Sequence, residues 1–340
     1  MRAFGALGAA LLAIAAVVVL TLHHAGVTTP SAAKTAHRHA KHASGPTAKL
    51  TALATLSSPV SGAAAAREGA TGALYFGGLD SASTAVDTVQ RFEGGKTSSV
   101  GTLPYAIADA GRAALGGTVY LFGGAETTGP TSDIVSVSST GAGSTIVGQL
   151  PQPTTGAAAV GVGDTAYVIG GYDGTSDLDT IVSWNPSAGA STVASLPAPV
   201  VDAAAVVYNG AVYVVGGTSN NATSSAIYRF DPATKHVTRI GSLPVSLTQA
   251  SAGVQNGQII VFGGDRTVAG SQSDSIYSVS PTTGVVKPIG TLPQGLAGAM
   301  AVSLPSEILL AGGVDQGGQT NATIFRVEIV NPRPKPKRRG

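Results

Sequence analysis

The chain has 340 residues, 20 Lys+Arg, 18 Asp+Glu and no cysteine, which excludes disulfides, thiol catalysis and zinc–thiolate sites. Charged residues make up only 11%, well under the roughly 25% of an average soluble domain. Gly, Ala, Ser, Thr and Val dominate, which suits short strands and tight turns and leaves long amphipathic helices little to work with.

Ala3–Leu22, AFGALGAALLAIAAVVVLTL, is 20 residues without a charge. As a helix it spans roughly the 30 Å hydrocarbon core of a bilayer, whereas a cleavable signal has an apolar region of about 7–15 residues. Residues 1–22 are therefore expected to form a signal anchor or transmembrane helix. Cleavage near Ser31-Ala32-Ala33, giving a secreted protein, is the alternative. Lys34, Arg38 and Lys41 after the helix would, counted literally, keep the rest of the chain in the cytoplasm. The Ser/Thr/Gly-rich body has exported character, and the expectation adopted is a single-pass plasma-membrane protein with its body outside the cytoplasm.

Residues 23–49 hold five histidines and several basic residues with no apolar period, and read as a disordered linker. His37, His39 and His42 could meet a divalent metal, but nothing preorganises them, and neither metal nor cofactor is expected.

Residues 50–330 repeat. LYFGG (Leu74–Gly78), VYLFGG (Val119–Gly124), AYVIGG (Ala166–Gly171), VYVVGG (Val212–Gly217), IIVFGG (Ile259–Gly264) and ILLAGG (Ile308–Gly313) each end a hydrophobic strand on two glycines. The pairs start at 77, 123, 170, 216, 263 and 312, and Leu-Pro steps at 103, 150, 196, 243 and 292 keep pace with them. Two markers holding one period define a repeat array. One repeat reads as a strand (Ala203–Tyr208), an Asn209-Gly210 turn, the strand ending in Gly-Gly, a polar loop, a third strand (Ala226–Phe230), a turn (Asp231–Lys235) and a fourth strand (His236–Ile240). Four antiparallel strands per repeat make a propeller blade. The last repeat lacks its fourth strand, and Leu50–Leu56 supplies one, with Pro59 in the Leu-Pro role. The N-terminal strand is thus expected to complete the last blade and close the ring. The tail 331–340, with proline at every second position from 332 to 336, continues neither helix nor sheet.

The net charge of +2 is a property of the ends. Residues 50–330 carry 10 Lys+Arg against all 18 Asp+Glu, a net of −8, with five basic residues before them and five after. An acidic body argues against nucleic acid as a partner.

These repeats resemble the kelch family in their hydrophobic strand, Gly-Gly, apolar third strand, turn and Leu-Pro. The family's tyrosine before Gly-Gly stands at 75, 120, 167 and 213. Its fourth-strand tryptophan is missing, and the only tryptophan, Trp184, falls in a third strand. The resemblance covers Leu50–Val330 and implies an all-β, six-bladed propeller, which the apolar stretch in residues 1–22 is expected to precede as one transmembrane helix. It also implies that the loops after Gly-Gly and around Leu-Pro share one face.

Acidic residues recur after the glycines, at Asp80, Glu126, Asp173, Asp265 and Asp315. They could form a carboxylate rim on that face or each cap its own turn. Asp87, Asp133, Asp179 and Asp274 recur before the third strand and read as turn residues. Five positions after the Leu-Pro proline, where the first strand enters the central channel, stand Asp109, Gly156, Asp202, Gln249 and Gly298. Polar groups at a small-residue, pore-lining position are costly unless they meet water or a ligand. Asp109, Asp202 and Gln249, with Arg112 and Arg266 nearby, form the candidate ligand site.

Catalytic material is sparse, since His236, the only histidine in the repeats, falls on an outer strand. This excludes a Ser-His arrangement and the copper chemistry of galactose oxidase, a kelch-type enzyme that uses histidines and a cysteine-linked tyrosine. The expected function is a non-catalytic binding module, recognising a protein or glycan at the cell surface through its loops. The alternative is an epimerase- or mutarotase-like carbohydrate-active enzyme, as among kelch-type sialic acid mutarotases, using Asp109 and Asp202 as acid and base.

Overall fold

The computed structural model describes residues 45–266 and 271–331. The expected membrane helix, the histidines of the linker and nearly all of the basic tail lie outside these residues. Among the described residues no helix is long and apolar enough to cross a membrane.

Six four-stranded antiparallel sheets are arranged as propeller blades. From the inside outwards, blade 1 holds Ala64–Glu68, Gly72–Phe76, Thr88–Glu93 and Lys96–Thr102. Blade 2 holds Gly111–Leu115, Thr118–Phe122, Asp133–Val137 and Ser144–Gln149. Blade 3 holds Ala158–Val162, Thr165–Ile169, Thr180–Asn185 and Gly189–Ser195. Blade 4 holds Ala204–Tyr208, Ala211–Val215, Ala226–Asp231 and His236–Ser242. Blade 5 holds Ser251–Gln255, Gln258–Phe262, Ser275–Val279 and Val286–Thr291.

Blade 6 takes Met300–Ser303, Ile308–Ala311 and Thr323–Val330 from the end of the chain and Thr47–Thr55 from its beginning. The ring is therefore closed by backbone pairing between its two ends, as expected. The closing strand starts three residues earlier than expected. Thr47, Ala48 and Lys49 pair with Val330, Ile329 and Glu328, and Lys49 Nζ lies 3.7 Å from Glu328 Oε2. Those three residues belong to the propeller and not to the linker assigned to 23–49. Their small and charged side chains hide a strand that is identified by its partner rather than by its own pattern.

The local chemistry explains the meander. Asn209 and Gly210 both have positive φ, +49° and +75°, the geometry of a tight hairpin turn. Asp231 Oδ1 accepts from the backbone N–H of Ala233 at 3.0 Å and so closes the next turn. In every blade the outermost pairing carries a register shift, and such bulges make exposed edges poor templates for further pairing.

The core consists of apolar layers between adjacent blades. Trp184, on the third strand of blade 3, packs against Tyr120 and Phe122 of blade 2 at ring-centre distances of 4.6 and 5.5 Å. Phe230 of blade 4 meets Tyr167 of blade 3 at 5.4 Å. Tyrosine before Gly-Gly and an aromatic ring on the next third strand thus form one contact between neighbours.

The glycine pairs have a steric cause that lies in the neighbouring blade. At Gly170 (φ +64°) an added Cβ would fall on the carbonyl oxygen of Val200. The next residue, Gly171, donates its N–H to that same oxygen at 2.8 Å. The arrangement repeats around the ring. Gly78, Gly124, Gly217, Gly264 and Gly313 donate to the carbonyls of Ile107, Thr154, Leu247, Leu296 and Val60 at 2.7–3.0 Å.

Replacing Gly170 by alanine is therefore expected to cost more than about 3 kcal/mol, through overpacking and displacement of a buried carbonyl. Gly163→Ala is the control. It has φ +59° with nothing within 4 Å, and should cost only the left-handed backbone strain of about 1–2 kcal/mol. Urea unfolding of the two variants checks the difference; equal losses would contradict this account of the glycine pair.

Candidate functional site

Each blade's innermost strand is entered through one residue in the left-handed region, with φ of +58° at Gly62, +53° at Asp109, +63° at Gly156, +55° at Asp202, +51° at Gln249 and +62° at Gly298. These six are joined by a closed cycle of backbone hydrogen bonds. Asp109 donates to Gly62, Gly156 to Asp109, Asp202 to Gly156, Gln249 to Asp202, Gly298 to Gln249 and Gly62 back to Gly298, all at 2.8–2.9 Å. The residue before each member is bridged to the residue after a glycine pair, as in Ala108↔Ala125 and Val201↔Thr218. The ring is thereby tied to the Gly-Gly loops, and both families of loop share one face.

The side chains on this ring lean in one direction, each over the preceding member. A Cβ on Gly62 would overlap Asp109 Oδ1, and one on Gly156 would lie 2.6 Å from Asp202 Oδ1. Gln249 Nε2 points at Asp202 Oδ2 at 3.4 Å, a weak contact. Glycine at 62 and 156 thus makes room for the two carboxyls. The next residue in every blade is alanine, at 63, 110, 157, 203, 250 and 299. Ring and alanines together line a cavity of 280 Å³ at the channel mouth, at the small end of the range for ligand sites.

Enclosure by six blades makes ionisation here costly. Burial, then the neighbouring Asp202, pushes Asp109 up to about 7. Burial likewise pushes Asp202 up to about 6, opposed by the Gln249 amide and aided by Asp177. The two flank Gly156 in the ring and titrate as a pair. Near neutral pH the site can therefore hold a carboxylic acid beside a carboxylate, so that one group donates a proton and the other accepts one.

Asp109, Asp202 and Gln249 are thus brought together. Arg112 and Arg266 do not line this cavity: Arg112 is three residues further along the inner strand and Arg266 is exposed in the loop after a glycine pair. Gly62 was missed by counting from the proline, because the first repeat has Pro59 in place of a Leu-Pro step. Counted from Leu56, Leu103, Leu150, Leu196, Leu243 and Leu292, the spacing to the ring is six in every blade.

Three of the rim carboxylates close their own loops. Asp80 Oδ1 accepts from Ala82 and Thr84, Asp173 Oδ1 from Thr175 and Ser176, and Asp315 Oδ1 from Gly317 and Gln319. Asp265 stands one place nearer its glycines than these and accepts from Ser271 Oγ at 3.3 Å. Glu126 sits in a two-stranded hairpin, Ala125–Glu126 with Gly129–Pro130. Among the described residues no group of His, Cys, Asp or Glu is arranged to hold a metal ion.

With this geometry the fold and site define a six-bladed β-propeller with a polar channel mouth. A family model described as "Kelch motif" matches residues 153–194 and 199–244, which are blades 3 and 4. Among solved structures the chain is similar to one titled "Structure of YjhT", at TM-score 0.71 and 16% identity over 82% of this chain and 99% of that one. No curated protein matches the sequence.

The carboxyl pair predicts a pH dependence with a definite sign. Both groups have folded-state values above the ordinary 3.8, so the stability they confer is complete below that value and lost as pH rises through 6 and 7. Relative to the Asp109→Asn/Asp202→Asn variant, the wild-type melting temperature should fall by a few degrees between about pH 4 and pH 8. Parallel curves would refute the raised pair.

Proposed function

We propose that the propeller is a binding module whose recognition centre is the channel mouth, and that its ligand is small and rich in hydroxyl groups, such as a monosaccharide. The observation that carries this reading is the placement of Asp109, Asp202 and Gln249 at left-handed positions where three of the six blades have glycine. Such a placement costs about 1 kcal/mol or more for a residue with a Cβ, and two of the three also bear a desolvated carboxyl. A purely structural ring would be better served by six glycines. A carboxyl, a carboxylate and an amide facing alanine methyl groups suit a neutral ligand that both donates and accepts hydrogen bonds.

Recognition by the surrounding loops has less support. The exposed large apolar residues among those described are Ile146, Val147, Val285 and Val330, none of them in a loop after a glycine pair. The raised carboxyl pair favours a second, related reading, in which Asp109 and Asp202 exchange protons with the bound ligand, as a sugar epimerase or mutarotase requires. We further propose that Ala3–Leu22 anchors the chain in the plasma membrane with the propeller outside; loss of a C-terminal tag on protease treatment of intact cells would support this, and a protected tag would overturn it.

Calorimetric titration with a panel of neutral monosaccharides tests the binding reading, with Asp109→Gly/Asp202→Gly as the variant. It should abolish binding while raising stability by about 1 kcal/mol per site. A variant that loses stability and keeps binding would show that the side chains serve the fold. For the second reading, anomeric equilibration of a bound sugar followed by NMR should be accelerated by the wild type and not by the variant.

A further inference from the structure

Deeper in the channel one residue breaks the pattern of the inner strands. Three positions after the ring, the six blades read Ala65, Arg112, Ala159, Ala205, Ala252 and Ala301. Five methyl groups and one guanidinium occupy equivalent places. Gly111 faces blade 3, because a Cβ there would lie 3.0 Å from Ala159 Cβ. Strand alternation then turns Arg112 towards blade 1, where Ala64 and Ala66 are buried. The spacing of neighbouring inner strands is set by alanine, so the head of this long side chain has only the axial channel to enter. Arg112 is half-buried there, and burial pulls its pKa below the ordinary value. It is in none of the ion pairs among the described residues and makes no side-chain hydrogen bond with any of them. The Asp109 carboxyl, on the same strand entry, does not reach it.

A half-buried guanidinium set among apolar neighbours, to which the described residues offer no acceptor, keeps its planar fork free to take a carboxylate through two parallel hydrogen bonds. We propose that Arg112 is an anion site inside the channel, separate from the ring, which takes a small monocarboxylate. The apolar substituent of the carboxylate would lie against the alanine methyl groups. This surrounding favours a singly charged, partly apolar ion over strongly hydrated phosphate.

The test is the melting temperature of the purified full chain during titration with sodium acetate, sodium phosphate or sodium bromide at constant ionic strength. Acetate should give a saturable rise. Arg112→Ala, which reproduces the residue of the other five blades and should fold, is expected to weaken the half-saturation roughly tenfold or more, in keeping with loss of a charged bidentate contact. Arg112→Gln should do the same without removing bulk. Asp109→Asn/Asp202→Asn should retain the acetate response, so the two sites fail or stand separately. Equal responses in wild type and Arg112→Ala would overturn the proposal. So would a saturable response to phosphate or bromide without one to acetate.

Discussion

The structure depends on a carbonyl oxygen inserted from each blade against the glycine pair of its neighbour. Val200 O occupies the space where Gly170 would carry a Cβ and accepts the N–H of Gly171. A buried backbone hydrogen bond of this kind contributes only about 1 kcal/mol, but the steric condition attached to it is absolute. Because it recurs at every junction, including that between blade 6 and blade 1, it fixes how closely and at what angle consecutive blades meet. A sheet of four short strands cannot bury both faces alone, and this junction brings the next one close enough for Tyr167 to reach Phe230 and Tyr120 to reach Trp184.

The cyclic hydrogen-bond ring follows from the same junction. Once the carbonyl two residues before the ring is held by a glycine pair, the chain has to turn sharply into the innermost strand. A residue in the left-handed region makes that turn. Six such turns place six N–H groups and six carbonyls head to tail around the axis. The ring consumes its own backbone groups, so a ligand at the mouth meets side chains. Asp109, Asp202 and Gln249 supply them, and Gly62 and Gly156 leave the space the carboxyls occupy. The scaffold thus imposes a backbone geometry that favours glycine, and the chemistry is placed where the scaffold tolerates it least.

Much of this was legible in the sequence. The glycine pairs and Leu-Pro steps gave the blade count, and the missing fourth strand at the C-terminus pointed to a closing strand at the other end. Asp109, Asp202 and Gln249 stood out because they depart from glycine at a repeated position. Arg112 was noticed for its nearness in sequence to Asp109, which turned out to be a weak guide: three residues along an inner strand carry a side chain out of the cavity. The rim carboxylates recur for a local reason, as the turns at Asp80, Asp173 and Asp315 each need one acceptor.

By itself the sequence determined the repeat, its period and the alternation that makes each segment a strand, because these are local consequences of backbone chemistry and side-chain pattern. It also determined which positions depart from that pattern. Only the tertiary structure decided why the glycines are obligatory, that Gly62 completes the ring, and that two aspartates two places apart share one desolvated cavity. The reason is physical. Overlap with a neighbour's carbonyl and the cost of removing a charge from water both arise between segments far apart in the chain, and neither exists until the circle is closed.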